Sequence, residues 1–346
     1  MHTSIKLLVL AAALAVAAPA LAVGTGASDD PAVPAPGAPA DPQPAPPAPA
    51  PDPNPAPVPP APAPAPAPGS AFQLLDDQRD VTQVVEDQGS SYVLRSTGNI
   101  WQLAQGGWQV ADDGTGTRQI AADQGTLYAL KDTGNIWRRA FGQWQQVDNG
   151  TGTVQIAAKA GLLFALKDTG NVWELASDGQ WHQIDDGTNS QQIVADTNGE
   201  LYLLKASGNV FHYNGYGNWE RVDDGTGTQM IDASQGSLYV LKINGNVWRR
   251  QSGVWQMVDD GSASKQIRAD GPYLYVLKNV GNVWVLANQR WQRVDNGTST
   301  RSIEAGDGQL FVLKDSGQLF RASIDQLLSG AAGLRVANFQ AVYSGL

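Results

Sequence analysis

The side chains best suited to chemistry in this chain are a lysine, an acid or amide, and a tryptophan, each repeated. Lysine recurs at Lys131, Lys167, Lys205, Lys242, Lys278 and Lys314, with Arg95 in the equivalent place. Asp or Asn recurs at Asp113, Asn149, Asp186, Asp224, Asp260 and Asn296. A second asparagine follows a turn glycine at Asn135, Asn171, Asn209 and Asn246. A cation, a carboxylate and an indole set side by side can recognise a sugar. Its hydroxyls need paired donors and acceptors, and its C–H faces need a flat ring. The same residues also fit a structural role, in which Asx turns and Lys–Asp contacts tie neighbouring units together. The sequence leaves both readings open. The candidate ligand-binding set is Lys131, Asn135, Asn149, Lys167, Asn171, Asp186, Lys205, Asn209, Asp224, Lys242 and Asn246, all in loops of one face. If these are surface residues, Lys167→Ala removes a donor at a stability cost within about 0.5 kcal/mol. A rival set is His212, Tyr213, Tyr216 and Trp219, an aromatic insertion that occurs once and falls on the opposite face.

Catalysis is poorly provided for, and the expectation is that the protein is not an enzyme. Beyond the leader only His182 and His212 remain, each in a single unit, and no serine turn of the nucleophile-elbow type is present. Acids that repeat identically suit structure or multivalent binding better than one acid/base pair. With no cysteine, disulfides, thiolate zinc sites and thiol catalysis are excluded. The oxygen-rich loops match neither the EF-hand nor the calcium nonapeptide pattern, so no metal and no cofactor are expected. The net charge is −10 with no basic stripe, which argues against nucleic acid as a partner.

These residues sit in a chain with three compositional zones. Residues 1–22 carry one lysine, an apolar run and an Ala-Leu-Ala site, which predicts a signal peptide cleaved after Ala22. No later run is long enough to span a bilayer. The protein is therefore expected to be secreted, periplasmic or cell-surface. Residues 23–70 are a Pro/Ala-rich linker, disordered and biased to polyproline II, with a reach on the order of 100 Å. Residues 71–346 hold the folded part. Within it a Gly-Asn turn recurs at Gly98, Gly134, Gly170, Gly208, Gly245 and Gly281, with Gly317-Gln318 as the last copy, at steps of 36–38 residues. A period of this size means a solenoid, a propeller or an array. Residues 144–173 read WQQVDNGTGTVQIAAKAGLLFALKDTGNVW. Each unit contains four short runs rich in Ile, Val, Leu, Tyr and Trp, bounded by Gly, Asp, Asn and Thr.

Four antiparallel strands in about 36 residues describe a propeller blade. The reading is an all-β, seven-bladed β-propeller. Ala121, Ala122, Ala157 and Ala158 mark the innermost strand, where blades converge. All eleven tryptophans lie in the repeats. Six belong to the outer strand (Trp108, Trp144, Trp181, Trp219, Trp255, Trp291) and serve either to pack blades or to stack on sugars. The segment from Phe72 aligns with the outer strand from Trp144, while the last unit lacks an outer strand of its own. The N-terminal strand is therefore expected to complete the last blade, which removes two open edges. The tail from about Ser323 departs from the repeat. Ser323 and Gln326 form a candidate capping box for a helix ending near Gly330, and Leu334–Val342 is a further strand candidate that competes for closure.

The pattern of Trp, Val-Asp-Asp-Gly-Thr, Gln-Ile, Leu-Lys and Gly-Asn-Val-Trp resembles the tectonin repeat over residues 72 to about 322. The resemblance implies a propeller and a lectin-like, carbohydrate-binding role toward surface glycans. The expected function is multivalent recognition of a glycan or polysaccharide. The alternative is a protein-binding scaffold of the cell envelope. A monomer is expected.

Overall fold

The computed structural model describes residues 71–104, 107–223, 225, 227–260, 263–297 and 299–330. The signal peptide, the Pro/Ala linker and the strand expected at Leu334–Val342 lie outside them. Alternation of apolar and polar residues with Gly-rich turns gives seven four-stranded antiparallel sheets. In blade 2 the strands are Thr117–Asp123 (inner), Thr126–Lys131 (second), Ile136–Ala140 (third) and Gln143–Asp148 (outer). Blades 1 to 6 occupy 81–112, 117–148, 153–185, 190–223, 228–259 and 264–295. Blade 7 takes Thr300–Gly306, Gln309–Lys314 and Leu319–Ser323 from the C-terminal end, and Gln73–Asp76 from the N-terminal end. The N-terminal strand, paired with Leu319–Arg321, closes the ring. The tail forms the helix Ile324–Gly330 instead. It is capped by Ser323 and Gln326, which bond each other's backbone N–H, and Ile324 and Leu327 anchor it in the core of blades 6 and 7.

The turn after each second strand requires glycine for two reasons. Gly134 has φ +88°, and a Cβ there would meet the backbone nitrogen of Gly152 at 2.7 Å. The second reason means that the turns of adjacent blades touch. The core lies in the seams between blades, filled by second-strand residues such as Leu130, Phe164, Leu203 and Tyr275.

Three polar contacts repeat across the seams. First, the inner-strand glutamines form an amide latch. Gln119 accepts from the N–H of Ile156 and donates to its C=O, at 2.9 and 3.0 Å. Gln83, Gln155, Gln192 and Gln266 do the same. Second, each outer-strand indole N–H donates to a carbonyl of the preceding blade, as Trp144 does to Ala111 at 2.9 Å. Third, hairpin acids such as Asp123 accept from the next blade's turn, here Gly161 N–H at 2.6 Å.

The latch is interrupted in blade 7, where Ser302 replaces glutamine, and in blade 5, where Met230 does. Asp232 bridges that seam, accepting from Ala233 and Ala269 N–H, both at 2.9 Å. Asp232, Arg268 and Glu304 occupy the position held by Val85, Ala121, Ala157 and Val194 in the other four blades. Arg268 is gripped by both oxygens of Glu304, at 2.6 and 3.0 Å. Its charge is thereby largely neutralised, and burial pushes the Asp232 carboxyl up to about 6. The sign of the linkage follows. A carboxyl whose folded pKa exceeds its unfolded value binds its proton more tightly in the native state, so stability rises as pH falls through that window. Burial raises Glu86, Asp87 and Asp270 in the same direction. The domain is expected to resist urea better at pH 5 than at pH 7, and Asp232→Asn is expected to shrink that difference. An undiminished difference in the variant would remove Asp232 as a cause.

Candidate functional site

The repeated lysines lie on the face predicted, at the ends of the second strands, and their amino groups are already occupied. Lys167 Nζ sits 2.9 Å from Asp148 Oδ2 of the preceding blade and 2.7 Å from Thr153 Oγ1 of its own. Lys131, Lys205, Lys242, Lys278 and Lys314 repeat this clasp with Asp112, Asp185, Asp223, Asp259 and Asp295, at 2.5–2.8 Å. Arg95 does so with Asp76 of the closing strand at 2.6 Å. The acid used is the first of the loop. The sequence reading had singled out the second. The first is better placed because its other oxygen caps the loop, as Asp148 Oδ1 does from Gly150 N–H at 2.7 Å. The lysine side chains are only 15–19% exposed, so the expectation of a nearly neutral Lys167→Ala does not hold.

The remaining candidates divide. Asn135 and Asn171 bond the turn threonines Thr133 and Thr169. Asn209 and Asn246 continue their turns by backbone contacts to Lys205 and Lys242. Asn149 and Asp186 are exposed at the loop tips, and Asp224 lies outside the described residues. Of the rival set, the His212 ring stacks on Tyr202 at 4.9 Å, whereas Tyr213 meets Trp219 at 5.0 Å. Successive strand residues face opposite sides of a sheet, so these pairs lie on opposite faces of blade 4. The Trp219 indole is bonded to Ile184, and Tyr216 projects fully into solvent at a turn tip. The four residues do not converge on one site.

One seam differs from the others. Between blades 4 and 5 a groove of about 920 Å3 opens, lined by Arg221, Val222, Asp223, Val240, Lys242, Ile243, Asn244, Trp248 and Trp255. Ile243 forms its lip and is 73% exposed. The equivalent residue elsewhere is Ser96, Asp132, Asp168, Ala206, Asn279 or Asp315. Among the described residues, only Lys242 of the predicted set lines this groove. A sequence signal for it existed: Ile243 is the one large apolar residue at that place in the Lys-x-x-Gly turn. A smaller depression of about 500 Å3 between blades 3 and 4 brings Asp186 together with Gln183 and Trp219. Among the described residues, no group of three or more His, Asp or Glu is arranged to hold a metal ion, and no helix is long and apolar enough to cross a membrane.

No family model matches the chain, and no curated protein matches it in sequence. Solved structures match its shape. The chain is similar to YCF48 bound to D1 peptide, at 13% identity and TM-score 0.57, over 73% of this chain and 97% of that one. It is similar to the extracellular domain of the hybrid two-component system BT3049 from B. thetaiotaomicron, at 13% identity and TM-score 0.59, over 80% of this chain and 45% of that one. It is also similar to PorZ, a bacterial surface component of the type-IX secretion system of Porphyromonas gingivalis, at 13% identity and TM-score 0.56, over 72% of this chain and 38% of that one. At such identities the likeness is one of fold, and the chain is a seven-bladed β-propeller.

Proposed function

We propose that this chain is an exported, non-enzymatic binding module that takes its ligand in one groove, at the seam of blades 4 and 5. One observation carries the reading. The seams repeat a closed Lys–Asp clasp, and here it adjoins the apolar lip Ile243 and a cavity of about 920 Å3. The clasps occupy the groups that seven equal sites would need, which favours one specialised site over multivalent binding. Protein ligands occur on this fold, as in YCF48 bound to D1 peptide. A glycan remains the second reading. It is favoured by the tectonin-like repeat and by the two indoles, Trp248 and Trp255, in the groove wall. The leader and the Pro/Ala spacer suit a domain held away from a cell surface.

The test uses residues 71–346 on a glycan array and against a displayed library of random octapeptides. Ile243→Asp installs the residue that blades 2, 3 and 7 carry at this place, so the fold is expected to persist. Binding to either display should fall at least tenfold. Binding that survives Ile243→Asp, yet is lost on changing Tyr216 on the opposite face, would overturn the groove.

A further inference from the structure

Among the described residues, the groove offers a ligand donors but few acceptors. Asp223 Oδ1 accepts from Gly225 N–H at 2.9 Å, and its Oδ2 accepts from Lys242 Nζ at 2.6 Å and Thr228 Oγ1 at 3.0 Å. The Val222 carbonyl accepts the Trp255 indole N–H at 3.0 Å. Lys242 is thus neutralised, and Asp223 already accepts three bonds. Arg221, by contrast, is exposed and has no ion pair or hydrogen bond among the described residues. Its counterparts elsewhere are Val110, Gln146, Gln183, Met257, Arg293 and, in the closing strand, Leu74, and Arg293 lies over the Trp284 ring at 5.9 Å. Beside it, the exposed Asn244 accepts from Asn246 N–H through its side-chain oxygen at 3.0 Å and keeps its amide nitrogen as a donor. A neutral sugar hydroxyl both donates and accepts, so it is poorly served here. A carboxylate only accepts, and a guanidinium fork matches it with two parallel bonds.

The surface around the groove is extended rather than round. The top turns of blades 2, 3 and 7 each carry an acid, Asp132, Asp168 and Asp315. Those of blades 4, 5 and 6 carry none and present Ala206, Ile243 and Val280 instead, all exposed, Val280 at 64%. An arc of uncharged second-to-third-strand turns therefore crosses three consecutive blades beside the groove, flanked on the same face by the exposed acids Asp186 and Asp260. Resting on the groove as the binding site, we infer that its ligand is an extended polypeptide segment in which a bulky apolar side chain adjoins a carboxylate. The apolar side chain fills the space between Ile243 and Trp248. The carboxylate pairs with Arg221, and the flanking chain follows the arc.

The experiment selects the displayed octapeptide library on residues 71–346 and measures a synthetic winner by fluorescence anisotropy, as the acid and as its side-chain amide. Enriched peptides should carry Asp or Glu beside Leu, Ile, Phe or Trp. The amide should bind at least tenfold more weakly, and Arg221→Gln should abolish the difference between acid and amide. Gln stands at this place in two sister blades, and an unchanged melting curve checks the fold. If the acid and amide bind alike while Ile243→Asp still weakens both, the groove stands and the carboxylate is wrong. If no peptide is enriched and oligogalacturonate binds through Arg221, the ligand is an acidic glycan and the polypeptide is wrong. If peptides bind and neither variant matters, the groove itself fails.

Discussion

Deleting Phe72–Asp76, the closing strand with the residue before it, is expected to abolish cooperative folding of the whole ring. The strand completes blade 7 and supplies parts of two seams. Phe72 packs on the core of blades 6 and 7, and Leu75 packs on that of blades 7 and 1. The Leu75 carbonyl accepts the Trp108 indole N–H at 3.0 Å. Asp76, 1% exposed, pairs with Arg95, 3% exposed, at 2.6 Å. Loss of the strand therefore opens an edge and leaves a buried guanidinium without its main carboxylate. Asp76→Ala isolates the second effect; Arg95 keeps its ion pair with the partly exposed Asp80, so the cost should be about 1.5–3 kcal/mol. For a domain of this size each kcal/mol corresponds to about 2–4 °C in Tm, so the midpoint should fall by roughly 6 °C. Arg95→Leu placed on top should restore part of the loss, because it removes a buried guanidinium left with the partly exposed Asp80 alone. Unaltered melting of the deletion would mean that another segment closes blade 7.

How much of this was legible in the sequence depended on whether a residue's role repeats. The Gly-Asn period gave the blade count. Alignment of Phe72 with Trp144 gave the closing strand, and Ser323 with Gln326 gave the helix cap. All of these are local patterns. The seam contacts were less legible. Gln119 is invariant in type across five blades, yet nothing in one chain reveals that its amide reads the backbone of the next blade. The acid pairing was misjudged because Asp148 and Asn149 are neighbours of similar chemistry. The choice between them depends on a cap to Gly150 that only the folded loop creates. Asp232, Arg268 and Glu304 were hidden for another reason. They form a cluster only because three separate inner strands meet at the axis. The groove was nearly visible, since Ile243 breaks the acid-or-small rule of its turn. Weighting what repeats over what departs concealed it.

The last expectation concerns the lysine clasp. Lys167→Ala should destabilise the domain by about 1–3 kcal/mol, the cost of leaving a partly buried acceptor without its partner. The Asp148 side chain is only 13% exposed and would keep Gly150 N–H on one oxygen and a long, 3.4 Å contact from Thr153 on the other. Asp148→Asn should cost a similar amount. The double variant should cost less than the sum of the two, as expected for groups in direct contact. Because the amino group already holds two partners, binding of any ligand should track the folded fraction and nothing more. Urea unfolding of the four proteins, read beside binding of the selected octapeptide at a temperature where all are folded, separates the roles. A Lys167→Ala protein of full stability that binds the peptide more weakly would make Lys167 a ligand donor and refute the clasp as its role. Equal binding with lowered stability would leave the repeated lysines as the fasteners of the ring, and recognition to the seam where Ile243 and Arg221 break the pattern.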